Sequence, residues 1–239
     1  MGLTNPGQKI SPEDHARRVR EMFARISRRY DLLNHLLSGN IDKRWRRAVT
    51  ERLRPLIPGN ASILDVACGT GDLTIALFEN TGARAIGVDF CRPMLELAAR
   101  KYPRLLLVEG DALQLPFGEA AFDAVTIGFG LRNLSSTEDG LKELRRVLKR
   151  HGRAAILEFS KPTVPGFRAL STAYCNYVLP RIGGIISGSR SAYRYLPDSV
   201  ARFPDQEALA GLMRDVGFDE VEFQNLTGGI AALHIGRRV

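Results

Sequence analysis

Cysteine is scarce in this sequence: Cys68, Cys91 and Cys175 are the only three in 239 residues, and they lie far apart. So odd and sparse a set excludes a disulfide framework. With no CxxC pair and no neighbouring His, it offers no metal-ligand set either. Long apolar runs are also missing, none approaching the ~20 residues of a membrane span. The opening, MGLTNPGQKISPEDHARR, lacks the apolar core of a signal peptide, and its acidic residues are foreign to a transit peptide. Repeats and low-complexity tracts are absent. Together these absences point to the cytosol, with peripheral contact at the inner face of a membrane left open.

Aromatic residues beside the basic clusters are scarce as well. The net charge of +8 and pI near 9.7 invite a nucleic-acid partner. The densest clusters, Lys43-Arg44-Arg46-Arg47, Arg145-Arg146-Lys149-Arg150 and Arg237-Arg238, carry a single interleaved ring, Trp45, rather than a series on which bases could stack. A solvated helix face is the first reading of this charge and an anionic membrane surface the second. A nucleic acid is a weaker third and is not expected as a partner.

What is present is an ordinary globular balance, 44% hydrophobic and 25% charged residues, in a chain long enough for one domain with an appendage. Residues 1–58 read as a helical segment packed on the core. Ser11-Pro12-Glu13 gives an N-cap followed by proline at the first helical position. Val19, Met22, Phe23 and Ile26 recur at helical spacing, and the pattern continues through Tyr30 to Leu37 and Trp45 to Leu53. Pro55 and Pro58-Gly59 then mark a junction.

From residue 59 to 239 the rhythm is strand, helix, strand. Ile63 to Ala67, Ala85 to Val88, Leu105 to Val108, Phe122 to Ile127 and Ala154 to Phe159 read as strands. Asp72 to Phe78, Pro93 to Arg100 and Glu138 to Lys149 read as the helices between them. Such alternation predicts a doubly wound, mostly parallel α/β sheet. Residues 162–199 break the rhythm with five aromatics and read as a helical cap insertion over a site. Asp205 to Val216 returns to helix. Val221 to Leu226 and Ala231 to Ile235 complete a seven-stranded sheet as an antiparallel hairpin at its edge.

After the first strand comes Cys68-Gly69-Thr70-Gly71-Asp72, a turn whose glycines allow close backbone approach to a ligand at the carboxyl end of the sheet. A dinucleotide fingerprint would need Gly or Ala three residues after Gly71, where Thr74 stands. Asp72, expected at the N-cap of the next helix, would oppose a pyrophosphate there. The ligand is therefore a nucleoside without phosphates, and S-adenosylmethionine, whose cationic groups suit carboxylates such as Asp65, is one. Asp89 ends the second strand, where an acidic side chain accepts from both ribose hydroxyls. Asp111-Ala112 follows the third strand and belongs at the adenine edge. Asp89 and Asp111 could each be turn or cap residues, but three such sites at successive strand ends form an ordered set.

These residues, with Asp111-Ala112-Leu113-Gln114-Leu115-Pro116-Phe117 and Phe122-Asp123, resemble the class I (Rossmann-like) methyltransferases. Tyr30-Asp31-Leu32-Leu33-Asn34 with Ser38 and Trp45, and Arg146-Val147-Leu148-Lys149 followed by Leu157-Glu158-Phe159-Ser160-Lys161-Pro162, resemble the two signatures of the ubiquinone/menaquinone C-methyltransferases. Phe129-Gly130-Leu131-Arg132-Asn133 and Ala232-Leu233-His234 match the same family. The resemblance implies C-methylation of a prenylated quinol by S-adenosylmethionine without a metal, demethylmenaquinol first and a ubiquinone precursor as the alternative. It places Gly69, Thr70, Gly71, Asp89, Asp111 and Ala112 at the cofactor. Tyr30 and Asn34 go to the acceptor side, with Arg132 and Asn133 at the chemistry, where Arg132 would stabilise a phenolate. It leaves a homodimer open. The family usually has His at position 42, where this chain has Asp42, and often a cofactor-contacting Ser where this chain has Gly128. His234 reads as a packing residue. A nucleic-acid methyltransferase and a non-enzymatic S-adenosylmethionine-binding module stand as rival classes.

Overall fold

The computed structural model describes residues 11–164 and 190–239, with side chains 12, 28–30, 32–38, 190–194 and 196 outside the description. Most of the expected cap insertion, including Phe167, Tyr174, Tyr177 and Cys175, lies outside the described residues. Helix α1 (Pro12–Ser38) starts as its sequence predicts, the Ser11 hydroxyl accepting from the Asp14 amide at 3.1 Å. Helix α2 (Ile41–Leu53) follows. The alternating part comprises β1 (Ser62–Val66), α3 (Asp72–Thr81), β2 (Arg84–Asp89), α4 (Arg92–Lys101), β3 (Leu106–Glu109), β4 (Phe122–Gly128), α5 (Thr137–Val147) and β5 (Leu148–Phe159). It closes with α6 (Arg190–Arg202), α7 (Gln206–Asp215), β6 (Phe218–Leu226) and β7 (Ala231–Arg238).

The seven strands form one sheet in the order β3-β2-β1-β4-β5-β7-β6. The first five pair in parallel, and β7 runs antiparallel to both β5 and β6. Strand order reverses between β1 and β4, and in an open sheet of this kind the crevice beyond the carboxyl ends at that point receives ligands.

Both faces of the sheet are covered, which is why its central strands lack polar alternation. Leu64, Val66, Val125 and Ile127 pack with Leu141, Leu144 and Val147 of α5 and Leu209 and Met213 of α7 on one face. Ile63, Ala85, Ala124 and Leu157 pack with Val49 and Leu53 of α2 and Leu73 and Leu77 of α3 on the other. Trp45 anchors α2 at the carboxyl end: its indole N–H donates to the Thr227 hydroxyl at 2.9 Å, and its ring lies 5.7 Å from that of Phe129 and 6.1 Å from that of Phe159. No helix among the described residues is long and apolar enough to cross a membrane.

Several boundaries differ from expectation: β5 opens at Leu148 rather than Ala154, and β7 runs on to Arg238 rather than ending at Ile235. Helix α5 ends at Val147 rather than Lys149, because Leu148 is already extended and pairs with Phe122 while Lys149 reaches the Asp123 carboxylate at 2.9 Å. Strand β6 begins at Phe218, three residues earlier than expected, because Phe218 is buried in the core and pairs with Arg238.

Candidate active site

The chain leaves β1 through a run of left-handed residues at alternate positions, with φ of 52° at Ala67, 56° at Gly69 and 84° at Gly71. Glycine adopts this conformation freely, while Ala67 carries strain there. Its side chain is small for a second reason: a Cβ added at Gly130 would fall 2.6 Å from the Ala67 Cβ, so the β1 and β4 loops meet in close approach. The turn is held from β2. Asp89 accepts from the Gly69 amide through one oxygen and from the Cys91 amide through the other, both at 2.8 Å. Burial pushes its pKa up, and these backbone donors oppose the push.

Gly69, Asp89, Asp111 and Ala112 come together on one cleft that continues past Gly128, Phe129 and Gly130 to Asn133. Its open space, the mouth included, is about 780 Å3. Ala16 and Phe23 of α1 cover it. Asp111 also serves its own turn, accepting from the Leu113 amide at 2.9 Å, so the local and the ligand-facing readings of this residue coexist. Thr70 lines an adjoining polar lobe with Asp31, Arg46, Asp65 and Asp72. Gly71 shapes the turn and lines neither space.

Asp72 corrects an expectation. The N-cap of α3 is Gly71, and Asp72 is the first helical residue. Instead of capping, it binds Lys101, accepts from the Tyr102 hydroxyl at 3.1 Å and lies 3.2 Å from Arg46. Arg46 pairs with Asp42 one helical turn back, so Asp42 is a buried ion-pair partner. Lys101 also reaches Asp31 at 2.7 Å, and the Thr70 hydroxyl donates to Asp31. Helix α1 is thereby tied to the glycine turn. Burial alone would depress the Lys101 ammonium, but its bonds to Asp31 and Asp72 outweigh that and raise it.

Asp65, beneath the turn, is fully buried and accepts from the hydroxyls of Thr74 (2.6 Å) and Thr126 (2.7 Å). Burial lifts its pKa from 3.8 to about 6. The folded state therefore binds more protons than the unfolded chain between those values, stability falls as pH rises through the window, and the cost is complete above it. Asp65→Asn is expected to raise stability by about 1–3 kcal/mol near neutrality, with no gain below about pH 4. Thermal melts at both pH values check this, and a variant that melts below the wild type near neutrality would refute it.

At the far end of the cleft, a 3-10 turn (Leu131–Asn133) presents Arg132 and Asn133. Arg132 does not line the cleft. Its guanidinium binds Glu158 at 2.8 Å, donates to the Phe129 carbonyl and lies 5.2 Å from the centre of the Phe159 ring. Its Nε is buried without a partner. Burial pushes the Glu158 carboxyl up, and Arg132 opposes it. Asn133 donates to the Phe129 carbonyl at 3.2 Å and accepts from the Tyr195 hydroxyl at 3.1 Å. His15 of α1 meets the Asn133 carbonyl at 3.1 Å. Tyr30 and Asn34 lie on α1, but their side chains are outside the described residues. His234 is buried against the Gln206 carbonyl at 2.8 Å, as a packing residue should be, and burial lowers its pKa.

Residues 31, 46, 101 and 158 form part of this constellation without having been singled out from the sequence as site residues. Glu158 had a signal, a carboxylate inside an otherwise apolar strand. The others join positions too far apart in sequence for any spacing to suggest them.

Comparisons with known proteins agree with this architecture. The sequence pattern of the ubiE/COQ5 methyltransferase family matches residues 11–238. Over 222 residues the chain is 48% identical to a demethylmenaquinone methyltransferase of Thermus thermophilus, spanning 91% of this chain and 100% of that protein. Over 229 residues it is 44% identical to a ubiquinone/menaquinone biosynthesis C-methyltransferase of Citrifermentans bemidjiense, spanning 92% and 96%. Among solved structures, an S-adenosylmethionine-dependent methyltransferase of Thermotoga maritima matches with a TM-score of 0.69 at 19% identity, over 92% of this chain and 100% of that one. At that identity the likeness concerns the fold.

Proposed function

The chain belongs to the ubiE/COQ5 methyltransferase family, and from that premise we propose that it transfers a methyl group from S-adenosylmethionine to a ring carbon of a prenylated quinol, demethylmenaquinol above all. The observation that carries the reading is the cleft in which three successive strand ends meet. Asp89 offers its remaining lone pairs to a ribose, Asp111 and Ala112 border the place for an adenine, and Gly69 allows close backbone approach. The lobe beside it holds Asp31, Asp65 and Asp72, carboxylates that suit the cationic end of the donor. S-adenosylmethionine supplies an electrophilic methyl group, and no metal is needed for that chemistry.

The chain's own task is to raise the nucleophilicity of the acceptor and keep water out. Removing a proton from a ring hydroxyl enriches the ring carbon in electrons. The Asn133–Tyr195 hydrogen bond joins the cofactor cleft to a wide groove lined by Arg18, Met22, Arg25, Arg132, Tyr195 and Phe203. These groups suit a ring with an apolar tail at an anionic membrane surface. Burial raises the Tyr195 hydroxyl's pKa, and the Arg132 charge pulls it back. The same field would stabilise a phenolate at that position.

The test is incubation with methyl-labelled S-adenosylmethionine and demethylmenaquinone, with and without reductant. Labelled menaquinol is expected only when the ring is reduced, because a quinone ring is electron-poor. It is also expected to form undiminished in the presence of a chelator. Equal labelling of the oxidised ring, or label appearing in nucleic acid instead, would overturn the reading.

A further inference from the structure

The polar lobe beside the nucleoside cleft contains a charge arrangement that ribose and adenine recognition does not use. Among the described residues lining it, three are carboxylates (Asp31, Asp65 and Asp72) and one is a cation, Arg46. We propose that Arg46 recognises the α-carboxylate at the amino-acid end of the methyl donor, while the surrounding carboxylates receive its ammonium group. The inference rests on S-adenosylmethionine being the cofactor.

Arg46 is prepared for this task by its surroundings. It extends from α2, the helix that Trp45 fixes to Thr227, and its side chain is 15% exposed. Asp42 holds the guanidinium from its own helix, and Asp72 meets it at 3.2 Å from across the lobe. Both of these contacts run through Nη2. A planar guanidinium has five N–H donors, so a second edge is available to a carboxylate in the paired geometry that such groups favour. Asp72 does not depend on Arg46 alone, since Lys101 and Tyr102 also bind it. Arg46 can therefore turn toward a ligand without leaving Asp72 uncompensated. Without Arg46, an incoming carboxylate would enter a lobe of like charge, a repulsion the ammonium could only partly offset.

The experiment compares two ligands by calorimetry. S-adenosylhomocysteine carries the amino-acid end, and 5′-methylthioadenosine keeps the nucleoside and sulfur but lacks it. Arg46→Met is expected to weaken S-adenosylhomocysteine by about 10- to 30-fold, the loss of one charge-assisted contact. Binding of 5′-methylthioadenosine is expected to stay within about twofold of the wild type. Arg46→Lys retains the charge and its pairs with Asp42 and Asp72 but loses the fork. It gives the same comparison if the methionine variant does not fold, with a loss of about threefold or more confined to S-adenosylhomocysteine. Equal weakening of both ligands would make Arg46 a general support of the pocket and overturn the inference, as would no weakening of either. A wild-type chain that binds neither ligand would instead overturn the methyl-donor reading, and the inference with it.

Discussion

Arg132→Gln is expected to destabilise the chain by about 3–5 kcal/mol, because it strands the Glu158 carboxylate in the interior without its partner. Glu158 is 1% exposed and the Arg132 side chain 7%, so solvent cannot take over the neutralisation. For a chain of this length the melting temperature should drop by about 10 °C. The double variant Arg132→Gln/Glu158→Gln should recover most of that loss, since two neutral amides can occupy the site without a buried charge. The double variant also separates architecture from chemistry. If the Arg132 field stabilises the acceptor's phenolate, the refolded double variant should bind S-adenosylhomocysteine normally yet turn over on the order of 100-fold more slowly. Normal turnover in a stable double variant would assign Arg132 to architecture alone.

Asp89→Ala is expected to weaken S-adenosylhomocysteine by about 100- to 1,000-fold, more than the loss of a ribose contact alone. Its carboxylate accepts from the Gly69 and Cys91 amides, so truncation removes ribose recognition and also frees the glycine turn from β2. Asp89→Asn should be milder than Ala, because the side-chain carbonyl can still accept one of those amides. Titration calorimetry on both variants checks the order. Unchanged affinity in Asp89→Ala would remove the residue from the cofactor site.

The sheet was legible because its central strands are buried on both faces. Ile63 to Ala67 and Ala154 to Phe159 stand out as short apolar runs, and the terminal hairpin is marked by its two short runs on either side of Thr227-Gly228-Gly229. Helix ends were harder. Amphipathic spacing carries α5 through Lys149, and only the pairing of Leu148 with Phe122 shows that the backbone has already become extended. In the site, Gly69 and the Asp111-Ala112 pair each follow a strand and Asp89 ends one, so topology alone sets them side by side. Asp31, Arg46, Asp72 and Lys101 come from four different helices, and their meeting depends on how α1 and α2 pack, which periodicity cannot convey. Asp72 was misjudged as a cap because the left-handed Gly71 takes that position.

The place of β7 in the sheet has a consequence for synthesis on the ribosome. β6 leaves the ribosome first, yet its hydrogen-bonding partner is β7, which also covers the open edge of β5. Until residues 231–238 have emerged, the nascent chain therefore exposes the edge of β5, while β6 waits unpaired. Exposed edges of this kind recruit other strands. A chain stalled before Ala231 would lose more than eight residues: it would leave two strands seeking a partner, a natural substrate for chaperones.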